Sequence, residues 1–167
     1  MLGTDDVVTQ ERAFWCWAAV VQMLRRHFGL EARRQCDIVG ARLARDCCQV
    51  PMPAPCNVPH HMDSFDRLLG SEGISSRGGV LQGPLDERTL SNELHSDRPV
   101  VIGWIWDKSG GHFVLAFGRP RAGKKKPKKR FYLVADPLEG PRSITYERLR
   151  NPDGGTWSWS WYNLKAS

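Results

Sequence analysis

Cys16, His112 and Asp136 are of the three types that together run nucleophilic acyl transfer. Cys16 stands near the start of the stretch F-W-C-W-A-A-V-V-Q-M-L, which is apolar nearly all round and reads as a buried helix. The first turn of a helix has unpaired N–H groups and the positive end of the dipole, so it favours a thiolate. His112 follows Gly110 and Gly111, where missing side chains let a substrate backbone come close. A neutral imidazole takes the proton of a neighbouring thiol and makes it a nucleophile. Asp136 ends the strand after that of His112, where a carboxylate can reach the far ring nitrogen and fix its tautomer. Gln10, six residues before Cys16, has an amide that can donate to a developing oxyanion. Each residue also has an ordinary reading. Most cysteines are small buried hydrophobes, and Asp-Pro is a common turn. His27, His60, His61 and His95 end helices or follow a Pro-rich loop, and are less well placed than His112.

The spacing predicts which elements would carry these groups. Apolar residues at helical period predict helices over 15–28, 34–45, 62–70 and 86–95. Strand formers predict strands over 100–106 and 112–117, joined by the D-K-S-G-G turn, and over 131–135. Trp157, Trp159 and Trp161 alternate with small or polar residues, which predicts a last strand with one aromatic face. Most tryptophans are expected in the core, with Trp104 or Trp106 as candidates for a substrate wall. Helices first and strands second predict an α+β fold, a helical half packed on an antiparallel sheet, divided near residue 97. The 167 residues suit one domain and can bury roughly 70% of the unfolded surface, so neither metal nor disulfide is needed for folding.

Composition narrows the partners. The net charge of +6 resides in one stretch: Arg119, Arg121, Lys124, Lys125, Lys126, Lys128, Lys129 and Arg130 carry eight positive charges, and the remainder carries −2. That is a basic loop on a slightly acidic body, suited to an acidic partner. No aromatic residue interrupts it, so it offers no stacking platform and the nucleic-acid signal is weak. No apolar run approaches the ~20 residues of a membrane-spanning helix. Residues 1–11 are polar and acidic, with no visible secretory signal. Five cysteines leave one over: in an exported protein four can pair, and in a reducing cell all five are expected as thiols. Cys47, Cys48, Cys56, His60 and His61 lack the spacing of a zinc knuckle, so a structural loop is expected there, with Cys36 a possible partner for one of its cysteines.

Taken together, these motifs resemble the papain-like cysteine proteases. Q-E-R-A-F-W-C-W-A-A (residues 10–19) is similar to that family's Gln–Cys–Trp segment. G-G-H-F-V-L-A-F-G (110–118) resembles its histidine strand, and V-A-D-P (134–137) its acidic third member. The order of elements, Q-C-D-I-V and the Cys47-Cys48…Cys56-Asn57 loop are similar to a bacterial subgroup of secreted and effector proteases. That subgroup is related to the peptidase domains that process bacteriocin leaders. Trp17 departs from those domains, which usually have Gly after the cysteine. The resemblance implies a papain-like fold with the Cys-bearing helix at its centre and a protein or peptide substrate. Its mechanism needs no cofactor: Cys16 would attack, His112 shuttle the proton, Asp136 orient the ring and Gln10 hold the oxyanion. Trp17, Gly110 and Gly111 are expected to bind substrate, and delivery as a secreted protein or effector is expected. The same machinery runs glutamine deamidation or transglutamination on an effector or toxin, and a silent module binding through its basic loop stays open.

Overall fold

The computed structural model describes residues 1–108, 110–121 and 129–167. Lys124, Lys125, Lys126 and Lys128, the centre of the expected acidic-partner loop, lie outside the described residues. Five α-helices are described: α1 (Cys16–His27), α2 (Gln35–Leu43), α3 (Phe65–Ser71), α4 (Glu87–His95) and α5 (Tyr146–Arg150). The strands are β1 (Ile74–Ser75), β2 (Val80–Gln82), β3 (Val100–Trp106), β4 (Gly110–Gly118), β5 (Phe131–Asp136), β6 (Gly140–Thr145), β7 (Thr156–Trp161) and β8 (Lys165–Ala166). Six form an antiparallel sheet in the order β2-β7-β3-β4-β5-β6, and β1 pairs with β8. The fold is α+β. None of the described helices is long and apolar enough to cross a membrane.

Both faces of the sheet are covered, which explains why β3 and β4 read as continuous apolar runs. Phe113, Leu115, Phe117, Val101 and Trp161 pack against α1, α2 and α3. Val114, Ala116, Ile102, Trp104 and Val134 face the other way, against Leu90 and Leu94 of α4 and Leu149 of α5. The buried helix α1 lies across β4, so the cysteine at its start meets the end of the central strands.

Two expectations need correction. The expected division near residue 97 is crossed, because β2 from the helical half forms one edge of the sheet and α5 interrupts the strands. The expected single aromatic face of β7 is broken by a bulge: Gly103 pairs with Trp159 but the next residue, Trp104, pairs with Trp157. The extra residue, Ser158, turns Trp157 to the α4 side, while Trp159 and Trp161 stay on the α1 side.

The loop between α2 and α3 is held by two disulfides, Cys36–Cys48 and Cys47–Cys56, which leave Cys16 as the free thiol. Replacing both Cys47 and Cys56 with serine should lower stability by about 2–3 kcal/mol, the chain-entropy value for so short a loop. The check is the urea midpoint at unchanged slope. An unshifted midpoint would mean that packing alone holds the loop.

Candidate active site

Helix α1 begins at Cys16, and the residue before it, Trp15, supplies no side-chain cap. The Cys16 N–H, at the first position of the helix, therefore has no carbonyl to bond within it. The loop after the second disulfide holds this end. Asn57 Oδ1 accepts from the Phe14 N–H at 3.1 Å, and the Trp15 and Trp17 indoles donate to the carbonyls of Cys56 and Val58 at 2.8 and 3.0 Å. The segment before it is fixed by buried Gln35, which donates to the Thr9 carbonyl and accepts from the Glu11 N–H, both at 2.9 Å. Gln10 N–H reaches the Pro137 carbonyl at 2.8 Å, joining this arm to the turn after β5.

That turn presents Asp136. His112 Nε2 and Asp136 Oδ1 are 2.8 Å apart, with the Asp136 side chain 3% exposed and that of His112 10%. Nε2 is thus engaged, and Nδ1 is the nitrogen left for Cys16. Burial works to lower the imidazole pKa, but the Asp136 bond and the adjacent Cys16 overcome it and raise it from 6.5 to about 9. Burial works to raise Asp136, yet its bond from His112, the imidazolium charge, the Leu138 N–H and Arg142 hold it below the usual carboxylate range. The arrangement is a buried cation–anion pair beside a thiol.

The cleft at Cys16 has two arms. One, about 420 Å³, is lined by His61, Met62, Ile105, Phe113 and Trp159. The other, about 330 Å³, is lined by Gln10, Phe14, Trp106, His112 and Leu138. Gly111 lines both and Gly110 the first. A Cβ on Gly111 would come within 2.8 Å of the Met62 Cε, so only glycine fits there without moving the floor of the cleft.

Gln10 lies beside Cys16, but both hydrogens of Nε2 are committed, to the Arg12 carbonyl at 3.0 Å and the Ala13 carbonyl at 2.7 Å. The reverse amide orientation would set its oxygen against two carbonyls, so the assignment follows from the partners. Trp17 corrects the sequence expectation: at 1% exposure it packs under His60 and lines neither arm at Cys16, because its indole is drawn to Val58. Trp104 is likewise core, bonded to the Leu149 carbonyl, whereas Trp106 reaches the cleft. Sequence reading missed His61, Met62, Phe14 and Leu138 as cleft residues, and Arg142 beside Asp136. The first four come from segments whose packing no local period reveals. The only group of metal-ligating side chains among the described residues is Cys36, Asp37 and Cys48, whose two sulfurs are spent in a disulfide.

A family model described as papain-like cysteine protease AvrRpt2 matches residues 2–147. The chain belongs to this family. It is a papain-like cysteine protease and therefore a cysteine-type peptidase. Sixteen solved chains match it. One is a double glycine motif protease from an AMS/PCAT transporter, solved in complex with the leader peptide. It is 16% identical, covers 96% of this chain and 91% of its own, and superposes with a TM-score of 0.53, a likeness of fold. No curated protein matches the chain.

The ion pair sets a pH window for this papain-like protease. Because the folded His112 pKa is raised, its stabilising contribution is complete below pH 6.5 and is lost as pH rises through about 9. Asp136 is depressed, so its contribution is lost as pH falls below the ordinary carboxylate range. An NMR titration of the His112 ring should give a midpoint near 9, and Asp136→Asn should lower it, leaving Cys16 alone to oppose burial. A midpoint that ignores Asp136→Asn would dissociate the carboxylate from the shift.

Proposed function

We propose that Cys16, His112 and Asp136 hydrolyse peptide bonds as a catalytic triad, with the Cys16 N–H and Gln10 as oxyanion donors. The Cys16 sulfur, its proton already resting on the His112 ring, bonds to the substrate carbonyl carbon, and the carbonyl oxygen becomes the oxyanion. The C–N bond then breaks, and the imidazolium gives its proton to the leaving amine. Water, losing a proton to His112, attacks the thioester. The sulfur leaves as the thiolate, the proton staying on His112, and the acid is released. Asp136 stays ionised throughout and holds the imidazolium.

The observation that carries this reading is the buried 2.8 Å His112–Asp136 pair, with Nδ1 left to engage Cys16 at the start of a helix. Gln10 joins the oxyanion hole by giving up its longer bond, to the Arg12 carbonyl, when substrate enters. The substrate is an extended protein or peptide segment lying along both arms of the cleft, with its backbone against Gly110 and Gly111. A neighbour of the same fold holding a leader peptide supports a peptide substrate. Two disulfides suit a protein exported to an oxidising space. Together with the family name, they support a bacterial effector or toxin.

The test is digestion of a proteome-derived peptide library, with new amino termini read by mass spectrometry. Wild type should generate them and Cys16→Ala should generate none while keeping its melting temperature. Products of unchanged length with altered glutamines would turn the reading to deamidation. Gln10→Ala should lower kcat by roughly 10²-fold, the usual loss for one oxyanion donor; an unchanged kcat would remove Gln10 from the reaction.

A further inference from the structure

Arg142 is a cation beside this site for which the proposed reaction has no use. On β6 it pairs with Val134 of β5, while Asp136 pairs with Gly140. Residues two apart on a strand share a face, so Arg142 and Asp136 are diagonal neighbours on one face. Arg142 Nη1 donates to Asp136 Oδ2 at 3.1 Å. The other oxygen, Oδ1, accepts from His112 Nε2 at 2.8 Å and from the Leu138 N–H at 2.9 Å.

An aspartate carboxylate turns on a broad torsion about its last carbon–carbon bond. Two donors on one oxygen leave the other free to swing; a third donor on the second oxygen removes that freedom. The charged groups facing Asp136 are His112 from β4 and Arg142 from β6, with Cys16 of α1 beyond the ring. Arg142 therefore also competes with the imidazolium for the same negative charge. Its side chain is 36% exposed, and an ion pair so open to water adds little to stability.

We propose that Arg142 is a positioning residue of the protease. Its bond to Oδ2 fixes the plane of the Asp136 carboxylate so that Oδ1 meets His112, and its charge limits how tightly Asp136 holds the ring protonated. This rests on the reading of Cys16, His112 and Asp136 as the catalytic groups.

The test uses the full chain as wild type, Arg142→Gln, Arg142→Lys, Asp136→Asn and the Asp136→Asn/Arg142→Gln double variant. Two readouts are taken: the His112 NMR titration, and kcat and KM on a peptide cleaved in the library digestion. In Arg142→Gln the His112 midpoint should rise above the wild-type value of about 9, since a competing cation is gone. Its kcat should fall by roughly tenfold at unchanged KM, a loss of orientation and not of binding. On the Asp136→Asn background Arg142→Gln should change nothing further, because Arg142 acts through the carboxylate. Arg142→Lys keeps the charge and a donor for the single bond to Oδ2, so its midpoint should stay and its kcat should recover most of what Arg142→Gln loses. If Arg142→Gln does not fold, Arg142→Ala decides, and a wild-type kcat and His112 midpoint in it overturn the proposal.

An unmoved midpoint with an unmoved kcat in folded Arg142→Gln overturns it. So does a raised KM alone, which would make Arg142 a substrate contact, or full additivity with Asp136→Asn. Should His112→Ala and Asp136→Asn cleave as wild type does, the triad reading itself falls. Should they fail to cleave while Arg142→Gln matches wild type in both readouts, only the Arg142 inference falls.

Discussion

The His112–Asp136 bond joins the ends of two neighbouring strands in a place that water scarcely reaches. Isolated, either group would be pushed by burial toward its neutral form. Together each keeps the other charged, so an imidazolium near pH 9 coexists with an apolar sheet. That mutual dependence demands an accurate strand register. Pairing Leu115 with Ala135 and Ala116 with Val134 sets it, and a slip of one residue would send Asp136 to the opposite face. The apolar faces of β4 and β5, packed on α1 and α4, are what prevent the slip.

The thiol side of the site is held by different means. No strand carries Cys16; a helix end does, and helix ends fray unless something binds them. Here the binding comes from the cysteine loop, whose carbonyls at Cys56 and Val58 and amide at Asn57 take the donors around Trp15. Support from indole nitrogens and a loop fixes this end through Phe14, Trp15 and Trp17, with no bond to the Cys16 N–H that the proposed oxyanion needs. The disulfides give that loop the rigidity its own few contacts lack, and the 2.8 Å bond from Gln10 N–H to the Pro137 carbonyl ties the helix arm to the aspartate turn. The two halves of the site thus share one fixed frame.

Much of this frame was legible in the residues. Cys16 at a helix start, His112 after two glycines and Asp136 before proline are local signals, and so are the periods of α1, α4, β3 and β4. The illegible parts depend on what packs across the chain. Trp17 looks like a cleft residue from its place beside Cys16, but one helical step turns it by about 100°, onto the loop under His60. The bulge at Ser158 leaves the Trp alternation intact in sequence while breaking it in space. Strand β6, G-P-R-S-I-T, opens with glycine and proline, both poor strand formers. It exists because it returns along β5 from a tight turn at Gly140, whose φ is +83°. Missing that strand meant missing Arg142.

The five cysteines express a division that composition alone could not resolve. Four are consumed in pairs, buried or half-buried in α2 and the loop after it, whereas Cys16 opens onto the cleft. A thiol nucleophile and structural disulfides make opposite demands on redox state, so they coexist only if the free sulfur cannot exchange with the pairs. Exchange requires a thiolate to reach a disulfide sulfur. Cys56 is fully buried, and the Trp15 indole, drawn onto its carbonyl, packs at the start of α1. With Cys47 at 2% exposure beside Cys56, that pair offers an outside thiolate no open sulfur, so burial of the disulfide is what lets it coexist with a free Cys16.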